Sequence, residues 1–181
     1  MPWAGWMRTS YMLDVSEAFH MRRVGAIVNV GSTSHPYYLS LILEGVWGFP
    51  SVEFEEWALL ENDTPILLFL EHRGTRGVWA AAQVVEKFPN TFPVSYWFKN
   101  PYSRPFQFRL RYTLPERVDH ESLDAVKPVT IPELRDRGFS KRGGWEIAVF
   151  ADRYPNRYEV FEAIKSALLE RNSSGKSTIP S

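Results

Sequence analysis

The sequence predicts an α+β fold in which a small curved sheet or barrel of about six strands is combined with helices. Three observations support this prediction. Residues 105–114 alternate apolar and polar side chains, as a half-buried strand does. Two apolar runs, at 64–71 and 77–88, flank the Gly-containing stretch "HRGTRG", which is the pattern of a β-hairpin. Residues 156–172 carry apolar side chains at helical spacing and predict a C-terminal helix.

The N-terminal half of the chain is expected to supply one buried strand and two helices. A β-branched apolar run between glycines at 24–31 predicts the strand. Residues 35–45 predict a helix that ends at Gly45. Residues 51–62 predict a second helix with Ser51 as its N-cap. The side chains expected on the inward face of the second helix are Val52, Trp57 and Leu60.

Further strands are expected around and after the hairpin. Its turn is predicted to contain Gly74 and Gly77. Short strands are predicted at 93–98 and, at the sheet edge, at 127–131, whereas 145–150 fits a strand or a helix. In the alternating strand, the side chains expected to point inward are Phe106, Phe108, Leu110 and Tyr112.

The C-terminal helix is predicted to begin at a cap residue, Asn156. Its buried stripe is expected to consist of Val160, Phe161, Ile164, Ala167 and Leu168. We interpret 24–172 as one domain, preceded by a leader at 1–23. The Ser- and Gly-rich residues 173–181 are expected to form a flexible tail or a linker to a further domain.

Composition excludes several classes of protein. The 181 residues contain no cysteine, which excludes disulfides and thiolate zinc sites. The formal net charge is zero, which argues against a non-specific polyelectrolyte binder. No apolar run is long enough for a membrane span, and no secretory signal is recognisable, so a cytoplasmic protein is expected.

Catalytic and metal-binding motifs are not recognisable in the sequence. The four histidines lie far apart and lack metal-ligand spacing. The stretch "SSGKST" contains GKS, but a P-loop requires an earlier glycine, a preceding strand and a following helix. We therefore expect a binding domain rather than an enzyme, with no cofactor and no metal.

Aromatic residues provide the stronger functional signal. Of the seven tryptophans, three lie within periodic apolar patterns and are most simply core residues: Trp57, Trp79 and Trp145. Trp47 instead lies on a stretch bounded by Gly and Pro, which predicts a loop, and Trp97 borders another irregular stretch. Around Trp97 the aromatic residues Tyr96, Phe98 and Tyr102 are interleaved with Lys99 and Arg104. Aromatic rings among cations form a stacking surface beside phosphate partners, which readers of single-stranded or extruded bases require.

Several segments of the sequence resemble those of a known family. The segment "GVWG", residues 45–48, is similar to the G-V-W-[AS] motif of YTH domains, which belong to the PUA-like superfamily. Further similar segments follow the family's order: "IVNVGS", the hairpin, "YWF", "FQFRLRYTLPERV", "KPVTIPELRDRG" and "GGWEIAVF". The resemblance covers about residues 24–168. It implies a PUA-like, twisted β-barrel wrapped by helices, and a function in holding the N6-methyl group of methylated adenine in an aromatic cage.

Residue by residue, the resemblance implies a base site. Trp47 and Trp97 match two walls of the cage, and either Tyr102 or Phe108 is expected to supply the third. The backbone carbonyl of Gly48 matches the acceptor of the N6–H.

Other positions of the site match less directly. Ser32 matches a residue along the base edge, but Gly31 replaces the family's lysine before it. Tyr37 stands near the position of an asparagine that approaches the purine. The residues expected at phosphates are Arg135 and its neighbour Arg137, together with Lys99 and Arg104.

Methylated DNA and methylated RNA are the two nucleic acids that such a cage would bind. The absence of cysteine and the presence of only two glutamines favour a thermophilic prokaryote, and hence methylated DNA. In that setting the chain resembles an N-terminal specificity module of an McrB-type GTPase in a modification-dependent restriction system. The alternatives are a reader of N6-methyladenine in RNA, a PUA-like interaction scaffold that binds no modified base, and an unrecognised enzyme.

Overall fold

Seven strands form one sheet in the computed structural model, which describes residues 23–89 and 104–173. In chain order they are β1 Val24–Ser32, β2 Val46–Phe49, β3 Pro65–His72, β4 Thr75–Pro89, β5 Phe106–Leu114, β6 Val129–Thr130 and β7 Ile147–Ala151. Six of them follow the spatial order β2-β5-β4-β3-β1-β7, and β6 pairs with β4. The β1–β3 pair is parallel, and the other pairs are antiparallel.

Helices surround this sheet. They are α1 Leu39–Glu44, α2 Phe54–Leu59, α3 His120–Asp124, α4 Ile131–Asp136 and α5 Tyr158–Ser173, with 3₁₀ turns at Pro36–Tyr38 and Ser51–Glu53. The C-terminal helix α5 buries Phe161, Ile164 and Leu168 and packs across β1, β4 and β7. The predicted α+β fold, with a sheet of about six strands and a C-terminal helix, is confirmed.

The sheet is strongly curled. Five strand spacings of about 4.8 Å would place the two ends of the six-strand path about 24 Å apart in a flat sheet. Yet the guanidinium of Arg104 reaches both ends, because it donates to the carbonyl oxygen of Gly48 in β2 and to the carboxylate of Glu146, which immediately precedes β7. The result is a half-barrel whose two edges are joined by a side chain rather than by a backbone ladder.

The expectation of a loop around Trp47 was wrong. Residues Val46–Phe49 form β2, with Trp47 opposite Phe108 in β5. Gly45 ends α1 with φ 65°, and its carbonyl accepts a 2.8 Å hydrogen bond from the amide of Leu110. A Cβ at Gly45 would lie 2.9 Å from the carbonyl oxygen of Leu110, so glycine is required for this reversal. The turn at Gly45 allows the four residues of β2 to pair with β5, which lies far away in the sequence. A local sequence pattern does not reveal such pairing.

The second helix is shorter than predicted. It starts with the 3₁₀ turn Ser51–Glu53, and α2 ends at Leu59. Ser51 does not cap it, because the residue at the N-cap of this turn is Pro50 and makes no side-chain cap bond. The 3₁₀ turn is wound more tightly than an α-helix, so Val52 does not lie on the inward face of the helix that follows. Val52 is 82% exposed, although Leu60 is buried.

The hairpin turn, the start of α5 and the direction of the Gln107 side chain also differ from the expectations. The hairpin turn consists of Arg73 and Gly74, both with positive φ, whereas Gly77 lies in β4, where a Cβ would collide with the carbonyl oxygen of Val129. Asn156 does not cap α5, since its amide donates to the carbonyl oxygen of Val149. Gln107, expected to point outward, is 1% exposed, and its amide donates to the carbonyl oxygen of Arg104.

Several strand predictions agree with the structure. The strands at 24–31 and 105–114 and the short edge strand within 127–131 are confirmed, and 145–150 proves to be a strand rather than a helix. The predicted strand at 93–98 lies outside the described residues, as do nearly all of the predicted leader and the predicted tail.

Candidate nucleic-acid interface

Trp47 is the centre of the candidate site. Its side chain is 2% exposed, and Phe108, directly opposite in β5, is fully buried. Within residues 23–89 and 104–173, the indole Nε1 of Trp47 is the one buried side-chain polar atom without a hydrogen-bond partner. A buried donor without an acceptor costs about 1–3 kcal/mol, so this N–H marks a position where an acceptor is missing.

The guanidinium of Arg104 lies over the Trp47 ring. Its Cζ is 5.2 Å from the centroid of Trp47 and 5.8 Å from that of Tyr37. Nη1 donates to the carbonyl oxygen of Gly48 at 2.8 Å, and the guanidinium forms two bonds of 3.0 and 3.1 Å to the carboxylate of Glu146. We define these five residues as the Trp47 pocket: Tyr37, Trp47, Gly48, Arg104 and Glu146.

Hydrogen bonds to neighbouring elements hold the walls of the pocket in place. The backbone carbonyl of Glu146 accepts from the amide of Asn29 in β1 at 2.8 Å, and the Asn29 side chain donates to the carbonyl oxygen of Trp145 at 2.8 Å. On the opposite edge, Trp57 donates from its indole to the carbonyl oxygen of Gln107 at 3.0 Å. Both edges of the half-barrel are thus anchored independently of Arg104.

Two buried tyrosines hold α1, which leads into β2. Tyr38 donates its hydroxyl to the carbonyl oxygen of Val118, and Tyr112 donates to that of Leu41, each at 2.7 Å. Burial raises the pKa of both hydroxyls well above the usual range, so both remain neutral donors. Tyr37, which belongs to the pocket and immediately precedes Tyr38, packs edge-on against His35 at 4.3 Å.

The pocket has an acidic side. Burial, followed by the nearby charges of Glu56 and Glu146, raises the pKa of the Glu53 carboxyl, whereas Lys141 opposes this shift. The nearby negative charges add to the attraction that Glu146 exerts on the cation in the pocket.

A basic groove adjoins the pocket. It is a cavity of about 200 Å³ in which the cations Arg76, Arg135 and Lys141 surround the aromatic residues Phe69, Phe139 and Trp145. Arg76 lies over the Phe69 ring at 5.6 Å and is only 4.0 Å from Glu71. Within the described part of the chain, the side chains of Arg135 and Lys141 form no hydrogen bond or ion pair. Trp145, which lines the groove, immediately precedes Glu146 of the Trp47 pocket, so one segment contributes to both.

The structure brings together four of the residues predicted for the site: Tyr37, Trp47, Gly48 and Arg104. Arg135 lies in the basic groove next to them. Ser32 ends β1, and its hydroxyl pairs with that of Ser34 at 2.9 Å. Arg137 lies apart, since it donates to the carbonyl oxygen of Glu133 and lines a different cavity against α5. The predicted site residues Trp97, Lys99 and Tyr102 lie outside the described residues.

Sequence reasoning missed Glu146. A signal was present, because Glu146 is the one acid between residues 137 and 151, a stretch that contains Arg137, Lys141 and Arg142. An isolated acid next to a tryptophan in a basic stretch indicates a specific partner. Arg76 was also missed, because it follows the hairpin turn and lacks any local pattern.

Neither a metal cluster nor a membrane helix was found in this part of the chain. No group of three His, Cys, Asp or Glu residues within 23–89 and 104–173 could hold a metal ion. None of the described helices is long and apolar enough to span a membrane.

Several solved structures similar to this chain are YTH domains. One is the YTH domain of the Zygosaccharomyces rouxii MRB1 protein in complex with N6-methyladenosine RNA, with a TM-score of 0.44, 12% identity, and coverage of 80% of this chain and 86% of that one. Another is the Pho92 YTH domain in complex with m6A, with a TM-score of 0.47, 11% identity, and coverage of 80% and 83%. A third is the YTH domain-containing protein mmi1 with RNA, with a TM-score of 0.45, 14% identity, and coverage of 82% and 87%.

These similarities concern the fold, and they assign no function to the chain. No protein-family model matches the sequence, and no curated protein matches it.

Proposed function

We propose that this chain binds nucleic acid and takes N6-methyladenine, extruded from its strand, into the Trp47 pocket. The observation that carries the proposal is the position of the Arg104 guanidinium. This planar group lies over Trp47 and donates an N–H to the carbonyl oxygen of Gly48. A methylated adenine is also planar and has one remaining N6–H to donate, so the pocket already holds a group that stacks and donates as the base would.

The second support is the unpartnered indole N–H of Trp47. This N–H lies in the plane of the indole ring, so a base stacked on the ring face cannot accept from it, and only an acceptor of the bound strand beside the ring edge can satisfy it. A base in the pocket meets an acceptor at Gly48 and an aromatic face. A simple aliphatic ligand would not satisfy the carbonyl of Gly48.

The energies are consistent with a reader of moderate affinity. Stacking on an aromatic side chain contributes about 1–3 kcal/mol per base. Burying the methyl group adds about 0.8 kcal/mol, and extruding a base from a duplex costs a few kcal/mol. The burial of the methyl group is then worth roughly fourfold in affinity, and a pocket that differs by one methyl discriminates by at most about 10–200-fold.

The basic groove supports a polymer rather than a free nucleoside as the ligand. Its cations Arg76, Arg135 and Lys141 line one cavity on a chain that has no net charge. A short row of cations next to a base site is what a nucleic-acid backbone requires, because phosphates position the strand while the base contact provides selectivity. Two or three such contacts give a shallow dependence of affinity on salt.

For the polymer, we propose methylated DNA, bound by the chain as the specificity domain of a modification-dependent, McrBC-like restriction system. Composition supports this choice, since the chain has no cysteine and only two glutamines. N6-methyladenine in RNA is the second candidate, and RNA with N6-methyladenosine is the ligand named for the Zygosaccharomyces rouxii structure. In both cases the chain acts as a binding domain rather than an enzyme.

A titration by fluorescence anisotropy at a fixed salt concentration tests the proposal. The ligands are one sequence made as DNA and as RNA, each with and without a single N6-methyladenine. The variants are Trp47→Phe and the matched control Trp79→Phe, whose indole is also buried but donates to the carbonyl oxygen of Thr75. We expect methyl-dependent binding that is weakened in Trp47→Phe, because the smaller ring offers less stacking area, and retained in Trp79→Phe.

The ratio of DNA to RNA affinity then decides the polymer. Equal binding to methylated and unmethylated strands, or equal losses in the two variants, contradicts a base site at Trp47. Absence of binding to all four ligands leaves the alternative of an interaction scaffold.

A further inference from the structure

The Trp47 pocket is already filled by a side chain of the same protein. The Arg104 guanidinium lies over the Trp47 ring, uses the carbonyl of Gly48 as an acceptor and forms two bonds to Glu146. One aromatic face cannot stack against a guanidinium and a base at the same time. If a base enters as proposed above, Arg104 must first leave.

We propose that Arg104 is an internal occupant of the Trp47 pocket, and that a planar, donor-bearing base binds by displacing its guanidinium. This inference rests on the proposed function, because it names what the entering base replaces. The free protein is then mostly closed, and its apparent affinity is the intrinsic affinity multiplied by the fraction of molecules with an open pocket.

The contacts of Arg104 favour the closed state. The side chains of Arg104 and Glu146 are only 15% and 23% exposed, so the ion pair is largely shielded from water. Paired, bidentate hydrogen bonds between a guanidinium and a carboxylate are among the strongest available to side chains. The additional bond to Gly48 and the contacts with two rings favour the closed state further.

The same contacts can be replaced by those of a base. The guanidinium uses one face of Trp47 and the carbonyl of Gly48, and a planar base with an N–H donor can use both in the same way. The bonds to Glu146 are the contacts that only the guanidinium makes. Trp47 Nε1 has no acceptor in the closed state, since a guanidinium has donors only.

Arg104 also joins β2 to the residue before β7, so a purely structural role must be separated from that of an occupant. A structural link predicts that its removal lowers stability and leaves ligand affinity unchanged or lower. An internal occupant predicts that its removal raises affinity for a ligand of the pocket and leaves a site that accepts a free guanidinium group.

The test uses Arg104→Ala and a matched control, Arg109→Ala, which removes an arginine from the exposed pair with Glu86. Each protein is titrated with methylguanidinium chloride at concentrations below those that denature it, and binding is followed by tryptophan fluorescence. We expect saturable binding to Arg104→Ala and none to the wild type or to Arg109→Ala. Adding Trp47→Phe to Arg104→Ala should weaken that binding.

The second measurement uses N6-methyladenosine as a free nucleoside. We expect Arg104→Ala to bind it at least about tenfold more tightly than the wild type does, and methylguanidinium to compete with it. Glu146→Gln, which loosens the guanidinium without removing it, should raise the affinity by a smaller factor. If Arg104→Ala does not fold, Arg104→Met retains the apolar stem over Trp47, and the same comparison is made with this variant and Glu146→Gln.

The outcomes separate the two proposals. Nucleoside binding that is unchanged or weaker in the Arg104 variants, without methylguanidinium binding, overturns the internal occupant and leaves the base site intact. Binding of methylguanidinium to Arg104→Ala, with no nucleoside binding by any variant, overturns the base site and therefore its displacement of Arg104. Tighter nucleoside binding together with competition by methylguanidinium supports both.

Discussion

The Trp47 pocket and a second cluster around His72 contain the same three parts: a buried ring, a carboxylate and an arginine. In the His72 cluster, the imidazole is 1% exposed, and its Nε2 lies 2.7 Å from Asp124 Oδ1. Its Nδ1 lies 3.1 Å from the hydroxyl of Thr33, and Arg73 forms two bonds of 2.6 and 2.7 Å to the same carboxylate. In this cluster both ring nitrogens have partners, whereas in the Trp47 pocket the ring N–H has none.

This difference separates structural clusters from a ligand site. Arg73, followed by His72, holds the pKa of the Asp124 carboxyl well below its usual range, so the acid stays ionised and its bonds stay formed. A fully satisfied cluster stabilises the fold and has little to offer a ligand. A cluster that lacks one partner has lower stability in the free protein, but it can gain that partner when a ligand binds. The following predictions test this contrast.

The largest effect is expected for His72→Ala. The change removes a fully buried ring and leaves Thr33 and Asp124 without their shared partner, so we expect the free energy of unfolding to fall by about 3 kcal/mol. Urea denaturation measures this value. His120→Ala is the control, because that histidine is exposed and contacts His72 only edge-on at 5.5 Å. A loss below about 1 kcal/mol in His72→Ala would show that the His72 cluster does little to stabilise the fold. The contrast with the Trp47 pocket would then fail.

A third cluster, around Glu133, extends the comparison to pH. Hydrogen bonds from Arg171 and then from the amide of Thr130 lower the pKa of Glu133 from 4.5 to about 2. Because the folded state favours the ionised form of Glu133, the ionised carboxylate stabilises the fold. This stabilisation is fully present above pH 4.5 and is lost as the pH falls from 4.5 towards about 2. The pair is partly exposed, so we expect about 1–2 kcal/mol after screening.

Thermal unfolding of Glu133→Gln across this pH range measures the contribution. The variant should be less stable than the wild type at neutral pH, and the difference should shrink in acid. A constant difference from neutral pH down to the acid limit would contradict the assigned pairing with Arg171.

A smaller effect on stability is expected for Trp47→Phe. Removing an unpartnered buried N–H recovers part of its desolvation cost, which offsets the loss of packed area, so stability should change by less than about 1 kcal/mol. Trp79→Phe loses the bond to Thr75 as well and should be destabilised by about 1 kcal/mol more. Urea denaturation of the two variants side by side checks this order. Equal losses would mean that the indole N–H of Trp47 is satisfied in solution.

The smallest effect is expected in the basic groove. Arg135→Ala should leave stability unchanged and lower the slope of log affinity for nucleic acid against log salt by about 1. Arg137→Ala, which removes a cation that the structure places away from the groove, should leave the slope unchanged. Titrations at four salt concentrations measure it. A similar change of slope in both variants would contradict the assignment of Arg135, and not Arg137, to the nucleic-acid contact.

Local sequence was sufficient for much of the fold. The hairpin of β3 and β4, the alternation in β5 and the apolar stripe of α5 depend on contacts close in the chain, and each is visible as a period or a turn signal. The residues of the candidate site were partly visible for the same reason. Trp47 and Gly48 lie in one short motif, and Arg104 lies in a basic aromatic stretch.

The sequence by itself determined that the chain forms an α+β fold and that Trp47, Tyr37 and Gly48 are candidates for a base site, with Arg104 expected at a phosphate. Only the tertiary structure decided that Trp47 lies in a strand, because β2 pairs with β5, about 60 residues away in the chain. It alone decided that Arg104 faces Glu146, 42 residues further on. The physical reason is that the sheet curls, and curling brings two edges together that no local pattern relates.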